Sequence, residues 1–200
     1  MKAIALNCSL KRESKSSSTQ RLLTEIGEEL GKKKVTFETA HVLDYNVLPG
    51  VKSDEGEGDE WPALRTRILA ADILIVGTPI WLGQPSSIAK RVLERMDAFL
   101  EEADDQGRMP SYGKVAAVAV VGNEDGAHHV CAELYQALND VGFTLAPNAT
   151  TYWVGEAMGS KNYKDLKKTP EETGNATELM VSNAVHLAKC LKGKAYPGTE

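Results

Sequence analysis

The sequence predicts an α/β fold in which five parallel strands form an open, doubly wound sheet with helices on both faces. Near-continuous apolar runs at residues 3–6, 73–77 and 115–122 are typical of strands that are buried on both faces. Helical apolar patterns lie between these runs, and such alternation of strand with helix indicates βαβ units. Because five strands are too few for a closed barrel, we expect the strand order 2-1-3-4-5.

Two weaker strands complete the predicted sheet. In residues 34–42, the side chains of Val35, Phe37, Thr39 and His41 alternate with other residues, which is the period of a strand. TTYWVG at residues 150–155 supplies the last strand, and it is rich in the β-branched and aromatic residues that strands favour.

Five stretches have apolar residues at helical spacing, at residues 22–30, 64–69, 88–100, 130–141 and 179–191. Pro85 stands at the start of the third, where proline is tolerated, and Gly142 follows the fourth, where it can end a helix. Longer loops are expected at 49–62, whose acidic part is interpreted as solvated surface, and at 155–174. Because there is no internal repeat or Ser/Gly-rich linker, residues 1–200 are predicted to form one domain.

Composition restricts the partners and the location of the protein. The 200 residues include 23 basic and 28 acidic side chains, which argues against nucleic acid or an anionic membrane as the main partner. No apolar window approaches the length of a membrane span, and the start of the chain does not resemble a secretory signal. Cys8, Cys131 and Cys190 form no CxxC motif, so we expect free thiols in a reducing cytoplasm.

Ligands of open α/β sheets bind beyond the carboxyl ends of the strands, which directs attention to three loops. The first, after Leu6, is rich in hydroxyl groups, carries Lys11 and Arg12, and leads into a helix start near Ser18. Free N–H groups and the positive dipole end of that helix, with these side chains, predict a phosphate-binding turn. The alternative is that the serines only cap the helix, since Ser17 with Gln20 fits a capping box.

The second loop, GTPIWLGQPSS at 77–87, offers glycine flexibility and the broad aromatic face of Trp81, on which a planar ligand could stack. A surface-packing Trp in an ordinary loop is the alternative. The third loop, GNEDGAHH at 122–129, carries Asn123, Glu124 and Asp125, which can bond the edge of a heterocycle or cap the next helix.

Several other chemistries are not indicated. The first loop contains neither GxxxxGK[ST] nor GxGxxG, so a nucleoside triphosphate loop and a dinucleotide turn are not predicted. No triad for nucleophilic catalysis is evident, and a metal site is not predicted because the adjacent His128 and His129 do not share a helix face. A phosphate end, an aromatic wall and a polar far loop together predict a flavin mononucleotide (FMN) site, where the cofactor supplies the chemistry.

The loops resemble those of the flavodoxin-like NAD(P)H-dependent FMN reductases and related quinone reductases. CSLKRESKSSST is similar to the family's GSPRxxSNT, and TPIWLG at 78–83 is similar to its TPIYxG, while GNEDG matches the third loop loosely. Leu10 replaces a usual proline, and Ser18 stands where Asn is frequent. The cysteine cluster of the iron–sulfur members is absent, so a second cofactor is not expected.

The resemblance implies a flavodoxin-like fold and the residues that bind FMN. The first loop would hold the phosphate, the second would line the isoalloxazine ring, and the third would border the ring from the other side. The complete set predicted to bind the cofactor is Ser9, Lys11, Ser16, Ser17, Ser18, Thr19, Thr78, Pro79, Ile80, Trp81, Leu82, Gly83, Gly122, Asn123, Glu124, Asp125 and Gly126.

The resemblance also implies a reaction and an assembly. NAD(P)H would give a hydride to flavin N5 and leave, and a small acceptor such as a quinone or a flavin would then take the electrons, in a ping-pong mechanism. A homodimer or higher homo-oligomer is expected, with the TYWVG segment and the loop after it helping to close a partner's pocket. The alternatives are a non-enzymatic FMN electron carrier, a flavin-free binding domain, and a hydrolase or transferase of the same fold.

Overall fold

Six strands form one sheet in the computed structural model, which describes residues 1–12, 17–157, 159–194 and 196–198. The strands are β1 (Lys2–Asn7), β2 (Thr36–His41), β3 (Ile73–Trp81), β4 (Gln84–Pro85), β5 (Val115–Gly122) and β6 (Thr144–Val154). The five long strands are parallel and lie in the order β2-β1-β3-β5-β6. This confirms the predicted parallel α/β fold. The two-residue β4, which pairs antiparallel with β3, was not predicted and accounts for the difference in strand numbering.

In the described parts of the chain, five α-helices cover the two faces of the sheet. They are α1 (Ser18–Lys32), α2 (Trp61–Leu69), α3 (Ser87–Met96), α4 (Ala127–Asp140) and α5 (Glu171–Leu191). Short 3₁₀ turns follow β2 at Val42–Asp44, follow α3 at Asp97–Leu100, and precede α5 at Tyr163–Asp165. Among the described residues, no helix has both the length and the apolar character that crossing a membrane requires.

Successive residues of the strands point to opposite faces, and each face has its own apolar core. Ile4 and Val76 belong to the core under α2, α3 and α4, whereas Ala5 and Ile75 belong to the core under α1 and α5. Complete burial of an Ile or Val side chain contributes about 1.5–3 kcal/mol. The near-continuous apolar runs were interpreted as strands buried on both faces, and the structure shows that both faces of these strands are covered.

Some predicted boundaries were wrong. β3 extends to Trp81, so that residues expected in a loop close the strand, and β6 begins at Thr144 rather than near residue 150. Leu100 and Leu179, at the ends of two of the apolar patterns, are 46% and 47% exposed. The buried stripe of α5 instead includes Met180 and small residues such as Ala184, whose weak hydrophobicity hid the pattern.

The loop at 49–62, part of which was interpreted as solvated acidic surface, is anchored by a buried ion pair. Arg95 donates to Asp59 at 2.7 Å, and both side chains are fully buried. The guanidinium also donates to the carbonyls of Leu48 and Lys52 at 2.8–3.1 Å. Burial alone would raise the pKa of Asp59, but hydrogen bonds from Arg95 and from the backbone N–H groups of this loop lower it to about 2.

Candidate functional site

The turn after β1 is built on buried polar side chains. Asn7 Oδ1 accepts from the N–H of Ser9 at 3.0 Å, and Asn7 Nδ2 donates to Gln20 Oε1 at 3.0 Å. Ser17 caps α1, since its Oγ accepts from the N–H of Gln20 at 2.9 Å. Half of the predicted capping box is therefore present, and the carboxamide of Gln20 bonds Asn7. The start of α1, whose first N–H groups lack partners within the helix, therefore lies beside the turn after β1.

Ser9 also contacts His41, which lies at the end of β2. Ser9 Oγ is 3.5 Å from His41 Nε2, and His41 Nδ1 is 3.3 Å from Asp44 Oδ1. This connection resembles a hydrolytic triad, which the sequence did not indicate, but both distances are at the long limit for a hydrogen bond. Asp44 is 70% exposed, unlike the buried acid of such a triad. We therefore interpret the contact as one that satisfies the buried His41 ring and supports the turn.

The second loop is fixed to the first by Ser86. Its Oγ donates to the carbonyl of Cys8 at 2.6 Å, and its N–H donates to Thr78 Oγ1 at 3.0 Å. Thr78 is fully buried by this arrangement and supports the loop from behind. Trp81 ends β3 with 54% of its surface exposed, and Leu82 follows with a positive φ of 53° and 92% exposure. Leu82 therefore points away from the hollow that Trp81 borders.

Two glycines bring the second and third loops together. A Cβ on Gly122 would lie 2.9 Å from Ile80 Cβ, so the close approach of β5 to Ile80 requires glycine. Gly126 has a φ of 116°, and a Cβ there would lie 2.8 Å from the Cα of Gly83. Gly83 and Gly126 thus let the second and third loops contact each other closely.

One pocket at the carboxyl edge of the sheet unites the three loops. Of the residues predicted to bind a cofactor, it is lined by Ser9, Lys11, Ser17, Ser18, Thr19, Pro79, Ile80, Trp81, Gly122, Asn123 and Glu124. The structure places Thr78, Leu82, Gly83, Asp125 and Gly126 outside this lining, for the reasons of burial, orientation and loop contact given above and because Asp125 is exposed. Ser16 lies outside the described residues.

Sequence reasoning missed Leu10, Val121, Trp153, Asn162 and Tyr163, which also line the pocket. The aromatic residues of this group come from the end of β6 and from the segment 159–169. Residues of that segment line the pocket of their own chain, whereas the sequence had suggested a role in a partner's pocket. The one signal available in the sequence was the apolar and aromatic character of TYWVG.

The segment 159–169 is held against α1 by a cluster of contacts around the buried Tyr163. Arg21 lies 4.8 Å from the centre of the Tyr163 ring and donates to the carbonyls of Tyr163 and Leu166 at 2.6 and 2.7 Å. Tyr163 donates its hydroxyl to Glu25, which also accepts from Thr169 at 2.8 Å. Burial, followed by the bond to the Glu25 carboxylate, raises the pKa of Tyr163. Trp153 packs beside Tyr163 with ring centres 5.4 Å apart.

The two ends of the pocket differ in charge. Lys11 and the N-terminus of α1 make the first end positive, which suits a phosphate. At the other end, Glu124 Oε1 is buried and has no hydrogen-bond partner among the described residues.

The chain matches the NADPH-dependent FMN reductase family over residues 1–158.

The chain belongs to the NADPH-dependent FMN reductase family. It is therefore an enzyme of the flavin-dependent oxidoreductases, and its cofactor is FMN. The residues present fit that cofactor, because one pocket is lined by a positive hydroxyl-rich turn, aromatic side chains and a buried acceptor that no described residue pairs.

Relatives extend this similarity beyond the family match. The chain is 34% identical to 8-demethyl-8-aminoriboflavin-5′-phosphate synthase of Streptomyces davaonensis, over 98% of this chain and 80% of that protein. It is also 34% identical to a protein named divalent metal cation transporter MntH of Mycobacterium bovis, but the chain spans only 30% of that protein's length.

A solved structure shares nearly the whole fold. The crystal structure of RosB with the bound intermediate 8-demethyl-8-formylriboflavin-5′-phosphate superposes with a TM-score of 0.88 and 32% identity, covering 98% of this chain and 82% of that one. Because these alignments cover 98% of the chain, they continue past residue 158 into the segment that supplies Tyr163 to the pocket.

Proposed function

We propose that this FMN oxidoreductase oxidises NAD(P)H and passes the electrons to a small acceptor such as a quinone or a flavin, in a ping-pong reaction. The observation that carries the proposal is that the phosphate-binding turn and the Trp-bearing loop line one pocket. When bound, FMN supplies hydride acceptance at N5 and electron delivery to the acceptor. All further contributions come from the residues of the chain.

Those residues bind the cofactor, orient it along the sheet edge and shield its ring from water. Lys11 and the start of α1 attract the phosphate and set the position of the ligand along the sheet edge. The side chains of Ile80, Trp81 and Trp153 provide apolar walls that exclude water from the ring. Trp81 is half exposed, so it borders the mouth through which nicotinamide and acceptor would enter in turn.

Anaerobic reduction tests the proposal. The purified protein, loaded with FMN, should lose its yellow absorbance within seconds of adding NADPH or NADH, and initial rates should give parallel lines in double-reciprocal plots. Absorbance that persists would favour the electron carrier, and a protein that takes up no FMN would favour the flavin-free binding domain. The cytoplasmic location and the homo-oligomer predicted from the sequence are part of this proposal.

A second candidate is chemical modification of FMN itself. It is favoured by the similarity to a synthase whose name describes an altered riboflavin phosphate, and by the extension of that similarity over the 159–169 segment. In this case FMN is a substrate, and the flavin recovered after incubation should differ from FMN in mass. Recovery of unaltered FMN after many turnovers of NAD(P)H excludes this candidate and retains the first.

A further inference from the structure

We propose that Glu124 recognises the flavin by accepting a hydrogen bond from the imide N3–H of the isoalloxazine ring. The proposal rests on the proposed binding of FMN in this pocket. It starts from the carboxylate of Glu124, whose Oε1 is buried and has no hydrogen-bond partner among the described residues. A buried carboxylate oxygen without a partner is unfavourable, so a ligand that supplies a donor gains affinity by contacting it.

No described neighbour of Glu124 donates a hydrogen bond to this oxygen. The neighbouring Asn123 donates from its Nδ2 to the carbonyl of Gly159 at 3.1 Å, and not to Glu124. The other walls near this end of the pocket include the apolar Ile80 and Val121 side chains, which offer no hydrogen bonds.

The position of Glu124 in the sheet selects the ring over the phosphate. Glu124 follows β5, whereas the phosphate-binding turn follows β1, and β3 lies between these two strands. Two strand spacings separate the turns by about 10 Å. In FMN the ribityl chain separates the phosphate from the ring, so a ligand anchored at the β1 turn presents its ring to Glu124.

The chemistry of the oxidised ring then selects one atom. The carbonyl oxygens at C2 and C4 and the nitrogens N1 and N5 are acceptors, and a carboxylate does not bond them. N3–H is the only ring N–H donor, and a carboxylate accepts such a bond more strongly than a neutral oxygen does. Glu124 thus distinguishes a flavin imide from a ring that lacks this donor.

A ligand lacking the donor tests the inference. Dissociation constants for FMN and for 3-methyl-FMN are measured by fluorescence titration of the apoprotein. The wild-type protein should bind FMN at least about tenfold more tightly than 3-methyl-FMN, as expected for a hydrogen bond to a charged group. In Glu124→Ala the ratio should fall to near one. In Glu124→Gln it should be smaller than in the wild type but stay above one, because the carboxamide oxygen also accepts, though more weakly than a carboxylate.

The reduction potential gives an independent readout of the same contact. A carboxylate beside the pyrimidine edge opposes the negative charge that the ring gains on reduction, so Glu124→Gln should raise the midpoint potential of bound FMN. The matched control is Glu156→Gln, an exposed carboxylate outside the pocket lining, which should leave the potential and the binding ratio unchanged.

Each other outcome overturns the inference. A wild-type ratio near one shows that no imide bond is made, even if the Glu124→Ala variant does not fold. A wild-type ratio that persists in Glu124→Ala assigns the discrimination to another group. Failure of the wild-type protein to bind FMN at all removes the proposed function as well, so the two failures are distinguishable.

Discussion

Trp81 is a large aromatic side chain at the pocket mouth with more than half of its surface exposed. Its exposed aromatic face beside the pocket is a surface on which a planar heterocycle can stack. Trp81→Ala should therefore weaken FMN binding by about 1–3 kcal/mol, the range measured for base–aromatic stacking, and Trp81→Phe should weaken it less. Fluorescence titration measures the change. Leu100→Ala, an exposed apolar side chain elsewhere, is the control, and an equal loss there would contradict the assignment.

Lys11 is exposed at the positive end of the pocket. If it contacts the phosphate, Lys11→Ala should weaken FMN binding by about tenfold, as expected for one charge-assisted bond. Riboflavin, which lacks the phosphate, should bind the variant and the wild type equally. Lys52→Ala removes an exposed lysine outside the lining and serves as the charge-matched control. An equal loss for riboflavin would mean that Lys11 acts on the fold or on the ring.

The hydroxyl-rich turn and the Trp-bearing loop could be predicted as parts of one site, because the carboxyl ends of neighbouring parallel strands meet at one edge. Trp153 and Tyr163 could not. Trp153 comes from the end of β6, and Tyr163 reaches the pocket in a segment that Arg21 and Glu25 of α1 hold about 140 residues later in the chain. Neither periodicity nor a local motif records such a long-range contact.

At the scale of elements, the loop between β2 and α2 depends on the Arg95–Asp59 pair. Both side chains of the pair are buried. Asp59→Asn should therefore lower the free energy of unfolding by about 3–5 kcal/mol at neutral pH, because the buried charge of Arg95 loses its carboxylate partner. Urea unfolding measures this change. The exposed pair of Arg108 and Asp104 is the control, since Asp104→Asn should change stability little.

The same pair predicts a dependence of stability on acid. The folded-state pKa of Asp59, about 2, lies below its ordinary value of 3.8. A lowered pKa means that its contribution is complete above about pH 4 and is lost as the pH falls toward 2. The free energy of unfolding of the wild type should fall across this window more steeply than that of Asp59→Asn. Parallel curves for the two proteins would show that the pair does not titrate with folding.

Tyr163, in the segment 159–169, makes the free energy of unfolding fall as the pH rises, the opposite direction to the effect of Asp59. The pKa of Tyr163 is raised in the folded state, so its stabilising contribution is complete below about pH 10 and is lost as the pH rises further. Wild-type stability should therefore fall above pH 10, and Tyr163→Phe should lack that part of the fall. An unchanged slope in the variant would contradict the raised pKa of Tyr163 in the folded protein.

At the scale of the whole molecule, both apolar cores share the same strands. Removing either layer of helices would expose one face of β1, β3 and β5. We therefore predict that residues 1–200 unfold as one domain in a single cooperative transition, with equal calorimetric and van't Hoff enthalpies. Two separate transitions would show that the layers are independent.

The sheet order followed from strand count and alternation, whereas the ends of the elements depend on contacts that the local sequence does not contain. β3 continues to Trp81 because β4 pairs with its last residues. β6 begins early because Thr144 and Leu145 pair with the start of β5, before an irregularity interrupts the register. Both extensions come from strand pairing, which a single segment cannot reveal.

The central claim is that the turn before α1 binds a phosphate while the aromatic residues beside Glu124 hold the attached ring. A crystal structure of the protein grown with FMN tests it most directly. We predict density for the phosphate at Ser17, Ser18 and Thr19 and for the ring between Trp81 and the third loop. FMN bound elsewhere on the molecule, or with its phosphate at the Glu124 end, would contradict the account.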